Sequence, residues 1–173
     1  IYSIDISDPY NISYKTKDTK IFSKKIRILN ELGISFGFIV EIESRSLKNR
    51  KDFARLLEDL SNYYPNHVYF HFAKDFAISF TEKDATFIRM LAISFELFYT
   101  EGRAVPWFKS LLLTLKISSF ALISDFYEWL ILNNYIDSFA KDLPQYTFLE
   151  ILKMQLLFVQ FKLEEKNLVY LYP

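Results

Sequence analysis

Four carboxylates stand where they could do chemistry. Asp5 and Asp8 close a short run of strand-forming residues, and Glu41 and Glu43 close a longer one. A third run, residues 67–72 (HVYFHF), carries His71 near its end and is followed by Lys74 and Asp75. If the three runs are parallel strands, these residues share the rim at the strands' carboxyl ends, where parallel α/β sheets bind ligands. Carboxylates there could hold an amine, a ribose hydroxyl or a hard metal ion. The competing reading is that the mouths of loops are charged because they are solvated.

His67 and His71 have the spacing of a helical metal pair. On a strand that spacing keeps them on one face but about 13 Å apart, too far to share one ion. The flanking Tyr64-Pro65-Asn66 turn signal favours the strand.

The 173 residues contain no cysteine and only three glycines, Gly33, Gly37 and Gly102. Disulfides, zinc–thiolate sites and iron–sulfur ligation by this chain are thereby excluded, as is a glycine-rich phosphate cradle. No nucleophile elbow or dinucleotide fingerprint occurs. Twenty-one basic residues balance 21 acidic ones, which argues against a general nucleic-acid binder. The basic stretches, Lys24-Lys25 and residues 45–51, lie on helical faces with acids nearby and read as solvated surface. No run has the roughly 18 apolar residues of a membrane helix. Lack of disulfides fits the cytoplasm. The start at Ile1, without an initiator Met, suggests a fragment or trimmed domain.

The elements that must position the acids follow from periodicity. Residues 2–7 form a short strand, with Ile4 and Ile6 on one face and Asp5 on the other. A helix over 20–32 ends at Gly33. The strand at 34–44 (ISFGFIVEIES) comes at once, and its apolar body reads as one buried on both faces of a parallel sheet. A second helix over 47–63, opened by Ser46, leads to the third strand. This order makes parallel βαβαβ units with helical crossovers.

After residue 80 the pattern turns helical. Thr81 with Asp84 resembles a capping box and opens a helix to about Glu101, closed by Gly102. Helices follow at 107–116, with Pro106 in the first position, and at 120–132. A last long helix starts from Asp142 and Pro144, then Thr147 to Glu150, and is apolar nearly all round to about Glu165. Residues 168–172 read as a terminal strand. The fold class is α/β: a parallel βαβαβ portion resembling part of a TIM barrel over 1–80, followed by an α-helical bundle over 81–173.

The first eighty residues resemble the second half of a radical SAM barrel. The resemblance lies in IDISDP, in the LxxLGI pattern of ILNELGISFGFIVEIES, in FARLLEDLSNYYP and in HVYFHF. IRMLAISFELFYTEGRAVPWFKSLL and DFYEWLILNNY resemble the helical domain of unknown function that follows the barrel in cobalamin-binding radical SAM proteins. The chain departs from the family where Glu41-Ile42-Glu43 replaces a glycine-proline turn.

The resemblance implies a C-terminal part of such an enzyme, inactive alone, that completes the barrel wall and covers the substrate mouth. S-adenosylmethionine, an iron–sulfur cluster and cobalamin would belong to the parent protein. Asp5, Asp8, Glu41 and Glu43 would contact the cofactor. The partners would be upstream domains of the same polypeptide, not nucleic acid or membrane. A different reading is a non-catalytic module that binds a protein through its aromatic helical surface. A third is a small hydrolytic or metal-dependent enzyme using the acidic rim.

Overall fold

The computed structural model describes residues 2–6, 17–43, 47–136 and 145–168. Three strands, β1 (Tyr2–Ile6), β2 (Phe36–Ile42) and β3 (His67–Phe72), form a parallel sheet in the order β1-β2-β3. Helix α1 (Lys17–Glu31) joins the first two and α2 (Arg50–Asn62) the last two. A 3-10 turn (Phe76–Ser79) leads into α3 (Glu82–Phe95), which runs on as a π-helix (Glu96–Glu101). Helices α4 (Phe108–Leu115), α5 (Ser119–Leu132) and α6 (Phe148–Glu165) complete the chain.

Local chemistry explains most boundaries. Gly33 takes the left-handed conformation (φ 66°), and Ile34 N–H bonds back to Leu29 C=O at 2.9 Å. That is a helix stop for which glycine carries no side-chain penalty. Asn49, not Ser46, caps α2, because its side-chain oxygen accepts the Lys51 and Asp52 N–H groups. Ser46 lies outside the described residues. The Thr81–Asp84 pair and the Thr147–Glu150 capping box form as expected. Trp107 precedes α4, so Pro106 sits in the turn before it rather than in its first turn. Asp142, Pro144 and residues 169–172 of the expected terminal strand lie outside the described residues.

Both crossover helices cover the same face of the sheet. Phe22 of α1 packs on Phe38 at 5.9 Å between ring centroids, and Phe53 of α2 packs on Phe70 at 5.7 Å. Phe36, Phe38, Val40 and Ile42 are almost fully buried there. Each such side chain contributes roughly 1.5–3 kcal/mol relative to exposure. The core is continuous across residue 80, from Phe53 and Phe70 to Phe95, Phe98, Phe126 and Phe158. Glu58 of α2 accepts from the Ser119 hydroxyl and the Phe120 N–H, which ties α2 to the start of α5.

The last helix buries one face, through Ile151, Met154 and Phe158, and exposes another through Leu149, Leu152 and Leu156. Among the described residues no single helix is long and apolar enough to cross a membrane.

Candidate functional site

Residues paired in a parallel ladder point to the same side of the sheet. The register sets Ser3, Gly37 and His67 in one row, Asp5, Ile39 and Tyr69 in the next, and Glu41 beside His71 in the third. All lie on the face that α1 and α2 leave uncovered. Asp5, Glu41, Tyr69 and His71 are exposed, and Ile39 and His67 are half-buried. The expectation that β2 is buried on both faces is therefore corrected. Its second face carries Gly37 and Glu41, which cannot hold an apolar layer.

Of the four acids predicted as cofactor contacts, Asp5 and Glu41 share this open face. They stand one strand and one two-residue step apart, roughly 8 Å between Cα atoms from ideal strand spacings. Glu43 follows β2 and is half-buried, and Asp8 lies outside the described residues. Lys74 and Asp75 are exposed in the turn after β3. Among the described residues no group of three or more His, Cys, Asp or Glu is arranged to hold a metal ion.

At the amino end of the open face, His67 lies across Gly37. A Cβ on Gly37 would fall 2.1–2.3 Å from three atoms of the imidazole. The ring therefore uses the space that a side chain would need, and its Nε2 sits 3.4 Å from the Ser3 hydroxyl. Burial pulls the His67 pKa below the usual imidazole value.

The outer edge of β3 would ordinarily pair with a fourth strand. Instead the π-helix seals it with side chains. Glu96 Oε1 accepts the Phe70 N–H at 2.6 Å. The Thr100 hydroxyl accepts the Val68 N–H and donates to the Val68 carbonyl, both at 2.9 Å. Glu101 accepts the Tyr69 hydroxyl at 3.1 Å. A π-helix bonds i to i+5, so residues four and five apart recur on one side. That spacing lets Glu96, Thr100 and Glu101 all address β3, which an α-helix over the same residues would not. The α-helical reading of residues 96–101 is corrected on this point. Burial raises the Glu96 carboxyl to about 7, with a smaller push from Glu101 against the pull of the Phe70 N–H. Burial, then the Glu101 carboxylate, raises the Tyr69 phenol.

Beyond the π-helix a cleft of about 530 Å³ opens between the amino end of β3 and the first residue of α6. His67, Tyr69, Glu101, Arg103, Pro106 and Phe148 line it. A second hollow of about 490 Å³ lies between the starts of α2 and α3. Its Arg50 is engaged by Asp84 and lies 4.0 Å over the Phe87 ring, as surface structure rather than a free cation.

Sequence reasoning missed Glu96, Thr100, Glu101 and Arg103. A signal was present: two acids five residues apart in an otherwise apolar stretch (FELFYTEG) do not share an α-helical face. No protein-family model, curated protein or solved structure matches this chain.

Proposed function

We propose that this chain is the closing part of an open barrel in a radical SAM enzyme of the cobalamin-binding type. The carrying observation is an asymmetry between the two edges of the sheet. β3 is sealed by Glu96 and Thr100. β1 pairs with no strand on its outer side among the described residues. On that strand Tyr2 is 73% exposed, and Ile21 and Ile28 of α1 and Leu32 just after it are exposed too. Unpaired strand edges and apolar patches attract partners. A sheet with both crossover helices on one face and a polar opposite face has the layering of a barrel wall, whose site lies at the carboxyl end of the strands. The resemblance of both halves of the sequence to that family supplies the chemistry.

In this reading Asp5 and Glu41 face the lumen as hydrogen-bond acceptors, suited to the ribose hydroxyls and the ammonium of S-adenosylmethionine. His71, in register beside Glu41, adds a neighbouring donor or acceptor. The chain holds no cysteine, so the cluster ligands belong to preceding residues of the same polypeptide. When bound, the cluster and S-adenosylmethionine supply radical chemistry. The chain's own residues contribute binding, orientation and the exclusion of water. The coding sequence ahead of Ile1 tests this: a CxxxCxxC motif is expected, and a preceding barrel half without it overturns the proposal.

A second reading, a protein-interaction module, draws on the stripe Leu149, Leu152 and Leu156 along α6, with Leu149 76% and Leu156 61% exposed. A stable heteromeric complex lost on Leu152→Glu and Leu156→Glu, with no upstream cysteine motif, would favour it.

A further inference from the structure

The cleft between β3 and α6 plays no part in the proposal above. Its two charges stand two residues apart, Glu101 and Arg103, with opposite signs. They do not pair with each other. Arg103 has a left-handed backbone (φ 50°), and its guanidinium rests 4.6 Å over the Phe148 ring. Glu101, lining the same cleft, accepts the Tyr69 hydroxyl. The Arg103 backbone is the left-handed stop after a helix, with the Ala104 N–H bonded back to the Tyr99 carbonyl at 2.9 Å. The π-helix that delivers Glu101 is a feature frequent at functional sites.

Stacking on a ring leaves a guanidinium's planar donors available for a carboxylate. Glu101, with one hydroxyl bound, keeps acceptor capacity for an ammonium. Phe148 and Pro106 offer an exposed apolar shelf beside them, and His67 is held toward its neutral form. The volume lies within the range of small-molecule sites.

We infer that this cleft binds a zwitterion of the α-amino-acid type with a flat apolar side chain. Its carboxylate meets Arg103, its ammonium meets Glu101, and its side chain lies against Pro106 and the part of Phe148 that Arg103 leaves exposed. An anion lacking the ammonium would leave Glu101 repelling it, and an amine lacking the carboxylate would meet Arg103.

The test is a titration of the folded chain with L-phenylalanine, followed by NMR signals of the His67 and Tyr69 rings. Phenylpropionate and phenethylamine serve as probes that each lack one charge. Saturable binding of L-phenylalanine is expected, weakened about tenfold by Arg103→Gln and by Glu101→Gln, since each removes one charge-assisted contact. Both side chains are at the surface, and Gln at position 101 still accepts the Tyr69 hydroxyl. A thermal melt of each variant verifies that it is folded. Either single-charge probe binding as tightly as L-phenylalanine overturns the assignment. So does an absence of saturable binding, or an affinity unchanged from the wild type in either variant.

Discussion

Glu96 accepts the backbone N–H of Phe70 at 2.6 Å, on the edge of β3 where a fourth strand would otherwise bond. A side chain from a helix does the work of a neighbouring strand, and so the sheet stops there. The carboxyl is half-buried, and burial pushes its pKa up to about 7 from an ordinary 4.5.

That shift makes stability depend on pH. The unfolded chain loses the Glu96 proton near 4.5, while the folded chain keeps it to about 7. Between those values the folded state binds more protons, so stability falls as pH rises and levels off above. The full loss is up to about 3 kcal/mol. Urea melts of the wild type and Glu96→Gln from pH 4 to 8 should show this fall in the wild type and not in the variant, where the lowered His67 pKa leaves only a rise. The amide oxygen can still accept from Phe70 but carries no charge. An equal slope in both proteins would assign the pH dependence to another group.

Thr100→Val should be costly despite matching shape. It strips partners from the N–H and the carbonyl of buried Val68. About 1–3 kcal/mol of stability is expected to go with them. Thr100→Ser should recover most of it, because the hydroxyl returns. Denaturant midpoints of the two variants decide the point.

Gly37→Ala should move His67 rather than the sheet. The new Cβ would meet the imidazole at 2.1 Å, and a ring can swing aside where backbone cannot. A cost of about 1–3 kcal/mol is expected from this overpacking. Freed from its half-buried place, His67 should titrate closer to an ordinary imidazole in an NMR pH series. In a His67→Ala background the same glycine substitution should cost much less, which a double-mutant cycle measures.

The elements were legible in the sequence where local chemistry alone sets them. Gly33, the Thr81–Asp84 pair and the Thr147–Glu150 box ended or began helices where read, and HVYFHF is a strand from His67 to Phe72. The parallel order followed from the helical crossovers. Legibility failed where one segment answers another far along the chain. The π-helix exists in register with an edge it seals 26 to 32 residues away in sequence, which no local propensity encodes. The bare face of β2 was hidden for a similar reason. Phe36 and Phe38 announce burial, but whether Ile39 and Glu41 are covered depends on what lies across them. Asp5 and Glu41 were placed on one rim by the shared direction of parallel strands, and the pairing register adds that they share one face. Arg103 could not be linked to Phe148, since that contact spans the helical region.

The outer edge of β1, unpaired among the described residues, gives a further test of the proposed barrel. The Ser3 and Asp5 amides point away from β2, because the Tyr2 N–H bonds to Ser35 and strand amides alternate. Hydrogen exchange at these two amides should be slow in the full polypeptide and faster in the isolated chain. Equal rates would mean that no strand adds there.

The central claim is that the open face lines a cofactor site in the parent enzyme. Calorimetric binding of S-adenosylmethionine to the full polypeptide with its cluster reconstituted, compared with Asp5→Asn and Glu41→Gln, tests it most directly. Both variants should bind about tenfold more weakly while remaining folded, as expected for one lost hydrogen bond to a charged group. Unchanged affinity in both variants, or no binding by the unaltered protein, would contradict the account.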